Sequence, residues 1–359
     1  MIVIGIDTHK VTHTLVGADA VGRIVGDLTV RATTDGGMKA LAWARTNFGT
    51  DLVWGIEDCR NVSSRMERDL LSAGQRVVRV PPQLMARSRA SARTRGKSDP
   101  IDALAVARAV LREPDLPVAE HDEVSREFKL LVDRRDDLVG YRTAVINRLL
   151  WRLHELDPSH APKGTALAHF KQQHELRDWL SVRSELVAEL AREELTDVMG
   201  LTEQIKDLEI RIAALVRAKA SSLLTIFGCA ELTAAKIVGE VAGVSRFRSE
   251  AAFARHAGVA PIPHWSGSRH VRFRTIRSGN RQLNMALYRI AITQIRRNGP
   301  GAAYYKRRRE SGDSHAEALR RVERRIARTV FGRLRADRVA QAASSDCSPS
   351  SCNRWLALS

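Results

Sequence analysis

Cysteine is scarce in this chain of 359 residues, and its few cysteines lie far apart in the sequence. They form no Cys-x-x-Cys pair, so neither a zinc knuckle nor a disulfide framework is indicated. The N-terminus, MIVIGIDTHK, lacks a basic region followed by a long apolar stretch, and no signal peptide is expected. No apolar run approaches the ~18 residues that a membrane span requires. We therefore expect a cytoplasmic protein with no membrane partner.

Acidic residues are absent from two stretches, residues 70–98 and 251–309. The whole chain has 58 Lys and Arg against 41 Asp and Glu, a formal net charge of +17. Such an excess favours a polyanionic partner, with nucleic acid as the first candidate, although a basic run can also be only a solvated surface. The basic residues that we predict to contact nucleic acid are Arg87, Arg89, Arg93, Arg95, Lys97, Arg269, Arg272, Arg274, Arg277 and Arg281.

The first eighty residues alternate between strand and helix patterns. Three β-branched segments come first, and two more strand candidates each follow a helical segment. The predicted segments are strands at 2–7, 13–18, 23–30, 52–56 and 76–80, and helices at 34–47 and 62–72. Sequential strands can form an antiparallel meander, whereas strands reached through a helix add in parallel. This β-β-β-α-β-α-β order is ribonuclease H-like.

Long helices are predicted in the middle of the chain. In residues 122–156 and 175–218, charges are dense and apolar residues recur every three or four positions. Helices that pair with each other or with another subunit explain this spacing, and an ordinary bundle without an oligomeric role is the alternative. Residues 157–164 form the break between them.

The third region begins near residue 221 and is predicted to be mainly helical. Residues 226–228 (Ile-Phe-Gly), followed by a helix over 234–241, resemble one half of a helix–hairpin–helix. Glycine turns of this kind let backbone amides approach phosphates, although a plain helical hairpin fits the pattern too. The Ser-rich stretch after residue 340 is predicted to be a disordered tail.

Four acids fall at strand and helix ends that the predicted fold brings together. Asp7 ends the first strand and Glu57 follows the fourth, and these strands are neighbours in a ribonuclease H-like sheet. Pro100 suits a first helical turn, which makes Asp99 the predicted N-cap, and Asp102 lies three residues further on the same face. Carboxylates in this arrangement can bind two Mg²⁺ or Mn²⁺ ions for phosphoryl transfer.

Each acid also has a simpler interpretation. Asp99 can be only a helix cap, and Asp102 only a favourable charge near the helix dipole. Asp7 can merely begin a turn, and Asp58 competes with Glu57 for the functional role. Only the joint pattern of the four acids favours a metal site.

Several motifs together resemble the DEDD transposases of bacterial insertion elements, whose members are called RNA-guided bridge recombinases. The motifs are GIDTHK, the GIED of the fourth strand, GKSDPIDA and GVAPIPHWSG…IRSGNRQL, in the family's order over about residues 2–335. The resemblance implies a RuvC-like N-terminal domain, a coiled-coil region and a C-terminal transposase domain. It also implies tetramers, an element-encoded guide RNA, and DNA partners at the element ends and the target.

The resemblance also implies site residues. Asp7, Glu57, Asp99 and Asp102 match the family's acids, and Ser266, the serine before glycine, matches its nucleophile. A serine beside glycine is otherwise a common turn residue, and Ser268 and Ser278 also flank glycines. The chain departs from the family where Lys-Arg-Gly-Asn and Leu-Arg are usual. It has Arg-Ser-Gly-Asn at 277–280 and Leu-Asn at 283–284, so one basic contact is missing.

The sequence as a whole predicts an α/β domain joined to helical regions. The predicted parts are a ribonuclease H-like (RuvC-like) mixed-sheet catalytic domain at 1–118, a long-helix or coiled-coil region at 119–218, a mainly helical transposase domain with a helix–hairpin–helix-like start at 219–340, and the tail at 341–359. We expect a nucleoid-associated bacterial recombinase. A junction-resolving nuclease that uses water and a non-catalytic nucleic-acid scaffold are the alternatives.

Overall fold

The computed structural model describes residues 1–57, 62–81, 84, 98–113, 116, 118–120, 122–264, 272–275 and 279–346. For residues 262–264, 272–275 and 341–346 only the backbone is described. The chain divides into two compact units, Met1–Asp122 with Ser245–Ala252, and Glu123–Val244 with Phe253–Ser359. No helix in the described part of the chain is both long and apolar enough to cross a membrane.

The first unit is built on a five-stranded mixed sheet with the order β3-β2-β1-β4-β5. β1 pairs antiparallel with β2, β2 pairs antiparallel with β3, and β4 and β5 extend the sheet in parallel with β1. This topology confirms the predicted ribonuclease H-like fold. The elements are β1 (Ile2–Thr8), β2 (Thr12–Ala18), β3 (Ile24–Arg31), α1 (Thr34–Phe48), β4 (Leu52–Glu57), α2 (Ser64–Ser72), β5 (Arg76–Val80) and α3 (Asp99–Arg112).

Helices cover both faces of the sheet, which is why its central strands are apolar throughout. Ile6, Trp54 and Ile56 are fully buried on the face that α1 and α2 cover. Val3 and Val53 point to the other face and pack against α3. Successive residues of a strand point to opposite faces, so both sets must be apolar when both faces are covered.

Two glycines let α3 lie unusually close to the sheet. Gly5 of β1 and Gly55 of β4 are register partners. A Cβ atom on Gly5 would lie 2.0 Å from the carbonyl oxygen of Ala103 and 2.6 Å from the amide nitrogen of Ala107. A Cβ on Gly55 would lie 2.7 Å from Val110. The glycines therefore set the height of α3 above the strands, and with it the position of the helix start.

The second unit is organised around two long helices, α4 (Glu123–Leu156) and α6 (Leu186–Lys219), joined through the shorter α5 (Phe170–Ser181). Each long helix has 34 residues, and at 1.5 Å per residue it is about 50 Å long. The ion pairs Arg135–Glu209 and Arg152–Glu194 match residues in opposite chain order, so the helices are antiparallel. The predicted long helices and the break between them are confirmed.

Two details of the helical prediction are wrong. Residues 175–218 do not form one helix, because the chain leaves helical geometry between Ser181 and Leu186. The predicted apolar spacing in the two long-helix segments includes Leu130 and Leu186, but their side chains are 58% and 68% exposed. At 3.6 residues per turn, both positions fall away from the buried face of their helix and on its solvent side.

The remaining elements form the rest of the second unit and extend past the predicted tail boundary. A turn at Gly228, with φ of 87°, precedes the next helix, as the hairpin motif predicts. The elements are α7 (Glu231–Val241), α8 (Glu250–His256), β6 (Pro261–His264), β7 (Arg272–Thr275), α9 (Arg281–Arg296), α10 (Pro300–Glu310) and α11 (His315–Asp346). α11 thus continues into the segment predicted as a tail from residue 341. The predicted domain boundaries stay predictions.

Candidate functional site

The sheet places Asp7 and Glu57 at the same end of neighbouring parallel strands. The register pair Ile6 and Ile56 directly precedes the two acids. Strand alternation puts both acids on the face of Gly5 and Gly55, which is the face that α3 covers. Asp7 is 6% exposed, and Glu57 is half-buried. Both carboxylates are therefore directed to the side of the sheet where α3 begins.

The start of α3 supplies the other two predicted acids. Asp99 is the first residue of the helix and Asp102 is buried in its first turn. The prediction that Asp99 is the N-cap is wrong. Ser98 occupies that position because its backbone is extended, with φ of −148° and ψ of 150°, whereas Asp99 is already helical. Asp99 is the first residue inside the helix, and its side chain is 53% exposed.

His9 joins the acids, and the sequence reasoning missed it. Its Nε2 lies 3.1 Å from Oδ2 of Asp7 and 3.5 Å from Oδ1 of Asp99. One ligand atom from each of these three residues lies within 4.8 Å of the others. The sequence carried no signal that singles it out, because His9 lies just beyond the end of β1 and only the fold brings Asp99 of α3 beside it. The imidazole therefore bridges an acid of β1 and an acid of α3.

The electrostatics of Asp7 reflect a crowded acidic site. Burial raises the pKa of this carboxyl group, and His9 opposes that rise. Asp102 and Asp99 raise the pKa further, because like charges nearby disfavour ionisation. Among the described residues, the group of potential metal ligands that lie within 4.8 Å of one another contains Asp7, His9 and Asp99, and it contains neither Asp102 nor Glu57. A cation among these groups would relieve both the burial and the repulsion.

A second region lies in the other unit and brackets the predicted nucleophile. β6 and β7 pair antiparallel, from Pro261 with Thr275 to His264 with Arg272, and Ser266 lies between the two strands in sequence. Arg272 and Arg274 lie on β7, and Arg281 is the exposed first residue of α9. The following predicted or rival site residues lie outside the described residues: Asp58, Arg87, Arg89, Arg93, Arg95, Lys97, Ser266, Ser268, Arg269, Arg277 and Ser278.

Gly279 and Asn280, the Gly-Asn pair of the IRSGNRQL motif, are held in place by close contacts. A Cβ atom on Gly279 would lie 2.3 Å from the amide nitrogen of Gly258, so the two glycines pack backbone to backbone. Asn280 caps α9 by accepting from the amide of Leu283 at 2.9 Å, and its Nδ2 donates to buried Glu240 at 2.7 Å. Lys129 donates to the other oxygen of Glu240 at 2.7 Å. This network anchors the chain where it leaves the hairpin.

Asn284, one of the positions where the chain departs from the family's usual motif, has a structural role. Its Nδ2 donates to the carbonyl oxygen of Ala257 at 3.0 Å, and the side chain is half-buried. Asn284 therefore ties α9 to the turn after α8, at the position where an arginine is usual in the family that the sequence resembles.

Two family models match the chain. The model DEDD_Tnp_IS110, described as "Transposase", matches residues 4–158, and the model "Transposase IS116/IS110/IS902 family" matches residues 220–306. The chain belongs to this family of insertion-element transposases. The transposase is therefore a DNA-acting enzyme, and the resemblance seen in its motifs is confirmed.

Several known proteins are similar to this transposase. The "Insertion element IS116 uncharacterized 44.8 kDa protein" of Streptomyces clavuligerus is 26% identical over 94% of this chain and 95% of its own length. The "Insertion element IS900 uncharacterized 42 kDa protein" of Mycobacterium paratuberculosis is 25% identical over 92% and 95%. A solved structure, "T. thermophilus RuvC in complex with Holliday junction substrate", is 13% identical, covers 33% of this chain and 99% of that chain, and has a TM-score of 0.27.

Proposed function

We propose that this transposase cuts the DNA ends of its own element and joins them to a target by metal-dependent phosphoryl transfer. The observation that carries the proposal is the convergence of Asp7, His9 and Asp99, with Asp102 buried in the same first helical turn as Asp99. Glu57 stands at the end of the neighbouring strand, on the same face of the sheet. The acids come from strand ends and a helix start, which hold them on rigid elements.

The donor set fits hard divalent ions. Asp7, Glu57, Asp99 and Asp102 would hold Mg²⁺, or Mn²⁺, because carboxylate oxygens suit these ions. Bound ions would supply Lewis-acid stabilisation of charge on the phosphoryl oxygens. His9 holds Oδ2 of Asp7 and so fixes the orientation of that carboxylate. Burial and the neighbouring acids raise the pKa of Asp7, and a bound cation would oppose that rise by stabilising the charged carboxylate.

Ser266 is the nucleophile in this proposal. Its Oγ forms a bond to the DNA phosphorus while one bridging P–O bond breaks, and the hydroxyl proton ends on the leaving DNA oxygen. The phosphodiester is thereby exchanged for a phosphoserine ester, so rejoining needs no outside energy source. The long acid-free segment around Ser266 favours approach of a phosphodiester, because no carboxylate near it in sequence repels the phosphate.

The proposed partners are DNA, a guide RNA encoded by the element, and further copies of the chain in a tetramer. The net charge of +17 supports nucleic-acid partners. Tyr141 and Trp151 on α4 are 56% and 75% exposed, and exposed aromatic side chains on a long helix support self-association through that region. The guide RNA rests on the family resemblance.

Strand cleavage by Asp7→Asn tests the metal site. The substitution keeps the shape of the side chain but removes its charge, so cleavage of element-end DNA in Mg²⁺ should fall about a thousandfold or more, a loss of several kcal/mol. Asp35→Asn is the matched control, since Asp35 is an exposed acid of α1 whose carboxylate pairs with Lys39 at 2.8 Å on the same helix. Binding of DNA should be unchanged in both variants. Cleavage at the wild-type rate by Asp7→Asn would contradict the proposal.

A further inference from the structure

α11 carries a row of arginines along its outer face. Arg321, Arg325, Arg328 and Arg335 are all exposed and follow one another at steps of four, three and seven residues. Such steps return to the same side of an α-helix, so the four side chains share one face. The row spans 14 residues, which at 1.5 Å per residue is about 21 Å. We refer to these four residues as the arginine face.

The opposite side of α11 is fixed in the core of the second unit. Val322, Ile326, Val330 and Leu334 are buried on that side. The helix is thus held by its apolar face and cannot turn its arginines inward. Lys306–Arg338 contains twelve basic and five acidic residues, so it carries +7 of the chain's +17 in less than a tenth of its length.

Of the five acids in this segment, Asp313 pairs with Arg321 of the arginine face, and Glu323 and Asp337 lie away from that face. Asp313 accepts from both Arg308 and Arg321 at 2.7 Å, so one carboxylate serves two guanidinium groups. Glu323 is 5% exposed and lies on the buried side. Asp337 accepts from the hydroxyl of Ser222 at 2.7 Å. Positive charge therefore dominates the outer face.

Gly332 interrupts the row in a way that helix stability does not explain. It is exposed, lies between Arg328 and Arg335 on the same face, and a Cβ atom there would meet nothing within 4 Å. Glycine in a helix interior costs about 1 kcal/mol relative to alanine. No close packing requires it. A small residue at this point leaves room for a backbone to approach the helix between two arginines.

We propose that the arginine face binds the phosphate backbone of double-stranded DNA without reading its sequence. DNA is the partner class that the transposase family already implies, and arginine pairs with phosphate oxygens through two parallel hydrogen bonds. A rigid row of about 21 Å matches about six base-pair steps of 3.4 Å along a duplex. The guanidinium of Arg325 stacks on Tyr304 at 4.2 Å, which holds it extended on the surface. The surface lies beyond both matched segments, 4–158 and 220–306.

The test places a charge in the row without removing any arginine. Gly332→Glu and Gly332→Gln put the same bulk at the open position, and both residues form helices better than glycine, so the fold is preserved. Gly140→Glu is the matched control, since Gly140 is exposed in the middle of α4 and also has nothing within 4 Å of an added Cβ. The full-length variants are titrated with a labelled 30-base-pair duplex of unrelated sequence over a range of salt concentrations.

If the arginine face binds duplex DNA, Gly332→Glu should weaken that binding. It should also reduce the slope of log binding constant against log salt concentration by about 0.9, the value of one phosphate contact. Gly332→Gln and Gly140→Glu should keep the wild-type slope. A slope for Gly332→Glu equal to that of Gly332→Gln would overturn the proposal. The same titration with a stem-loop RNA separates the two nucleic acids. Weakened RNA binding with unchanged duplex binding would also overturn it.

The double substitution Arg325→Gln/Arg335→Gln is a second test, which removes two positive charges from the arginine face instead of adding a negative one. It should lower the slope by about 1.8, whereas Arg325→Lys/Arg335→Lys keeps both charges and should stay close to wild type. Thermal unfolding of each variant confirms that the helix is intact. If the glutamine pair, still folded, retains the wild-type slope, the phosphate contacts lie on another surface.

Discussion

Burial controls the charge of individual carboxyl groups in this transposase. Asp7 and Glu323 are both buried, and burial raises the pKa of each. Their surroundings differ, because Asp7 lies beside His9 and two further acids, whereas Glu323 lies on the apolar side of α11. We interpret Asp7 as a group whose charged form a cation would stabilise, and Glu323 as a group that folding favours in its neutral form.

The pH dependence of stability should reveal Glu323. Burial raises its pKa to about 7 from 4.5, so between these values the folded chain binds the proton more tightly than the unfolded chain. Stability from this group therefore falls as pH rises through that window and is lowest above pH 7. The unfolding free energy of Glu323→Gln relative to wild type should therefore be higher at pH 8 than at pH 5, by on the order of 3 kcal/mol. Thermal unfolding at both pH values measures the gain, and an equal effect at the two would contradict it.

Single residues show where sequence reasoning reached its limit. Asp7 and Glu57 were placed at adjacent strand ends because strand patterns and order are local in sequence. His9 was missed because a lone histidine carries no signal until the start of α3 is brought beside it. The N-cap was assigned to Asp99 rather than Ser98, because both residues are good caps and only the backbone angles distinguish them.

At the scale of elements, the contact between β1 and α3 determines whether the acids meet. Gly5→Ala tests this contact, since its Cβ would fall 2.0 Å from a backbone oxygen of α3, and a backbone cannot give way as a side chain can. We expect about 1–3 kcal/mol or more of destabilisation. Cleavage should fall further than stability alone explains, because α3 carries Asp99 and Asp102.

Gly200→Ala is the control for this change. Gly200 lies inside α6, and an added Cβ meets nothing within 4 Å, so the substitution should stabilise the chain by about 0.5–1 kcal/mol. Denaturant unfolding and strand cleavage are measured on both variants. Full cleavage activity by a destabilised Gly5→Ala would show that the height of α3 does not position the acids.

Elements with strong periodicity were predictable, and their interruptions were not. The five strands of the sheet follow from alternating β-branched runs, and α4 and α6 follow from apolar spacing. The gap between α5 and α6 was missed because apolar residues continue at helical spacing on both sides of it. α11 runs to Asp346 although Ser-rich composition predicts a tail from residue 341.

At the scale of the whole molecule, net charge and sheet topology together support assignment to a transposase family better than either does alone. A strongly positive net charge, +17 in this chain, is common among nucleic-acid-binding proteins. The mixed sheet has the strand order of ribonuclease H-like enzymes, and this order accommodates several chemistries. The two family models then identify a transposase.

A covalent protein–DNA adduct is the most direct test of the central claim, that a serine nucleophile acts with the acidic site. Wild type, Ser266→Ala and Asp7→Asn are incubated with labelled element-end DNA and Mg²⁺, then resolved on a denaturing gel. Wild type should give a slow band that protease removes, and both variants should bind DNA but give no band. A protease-sensitive band from Ser266→Ala, or full cleavage by wild type with no such band under any trapping condition, would contradict the account.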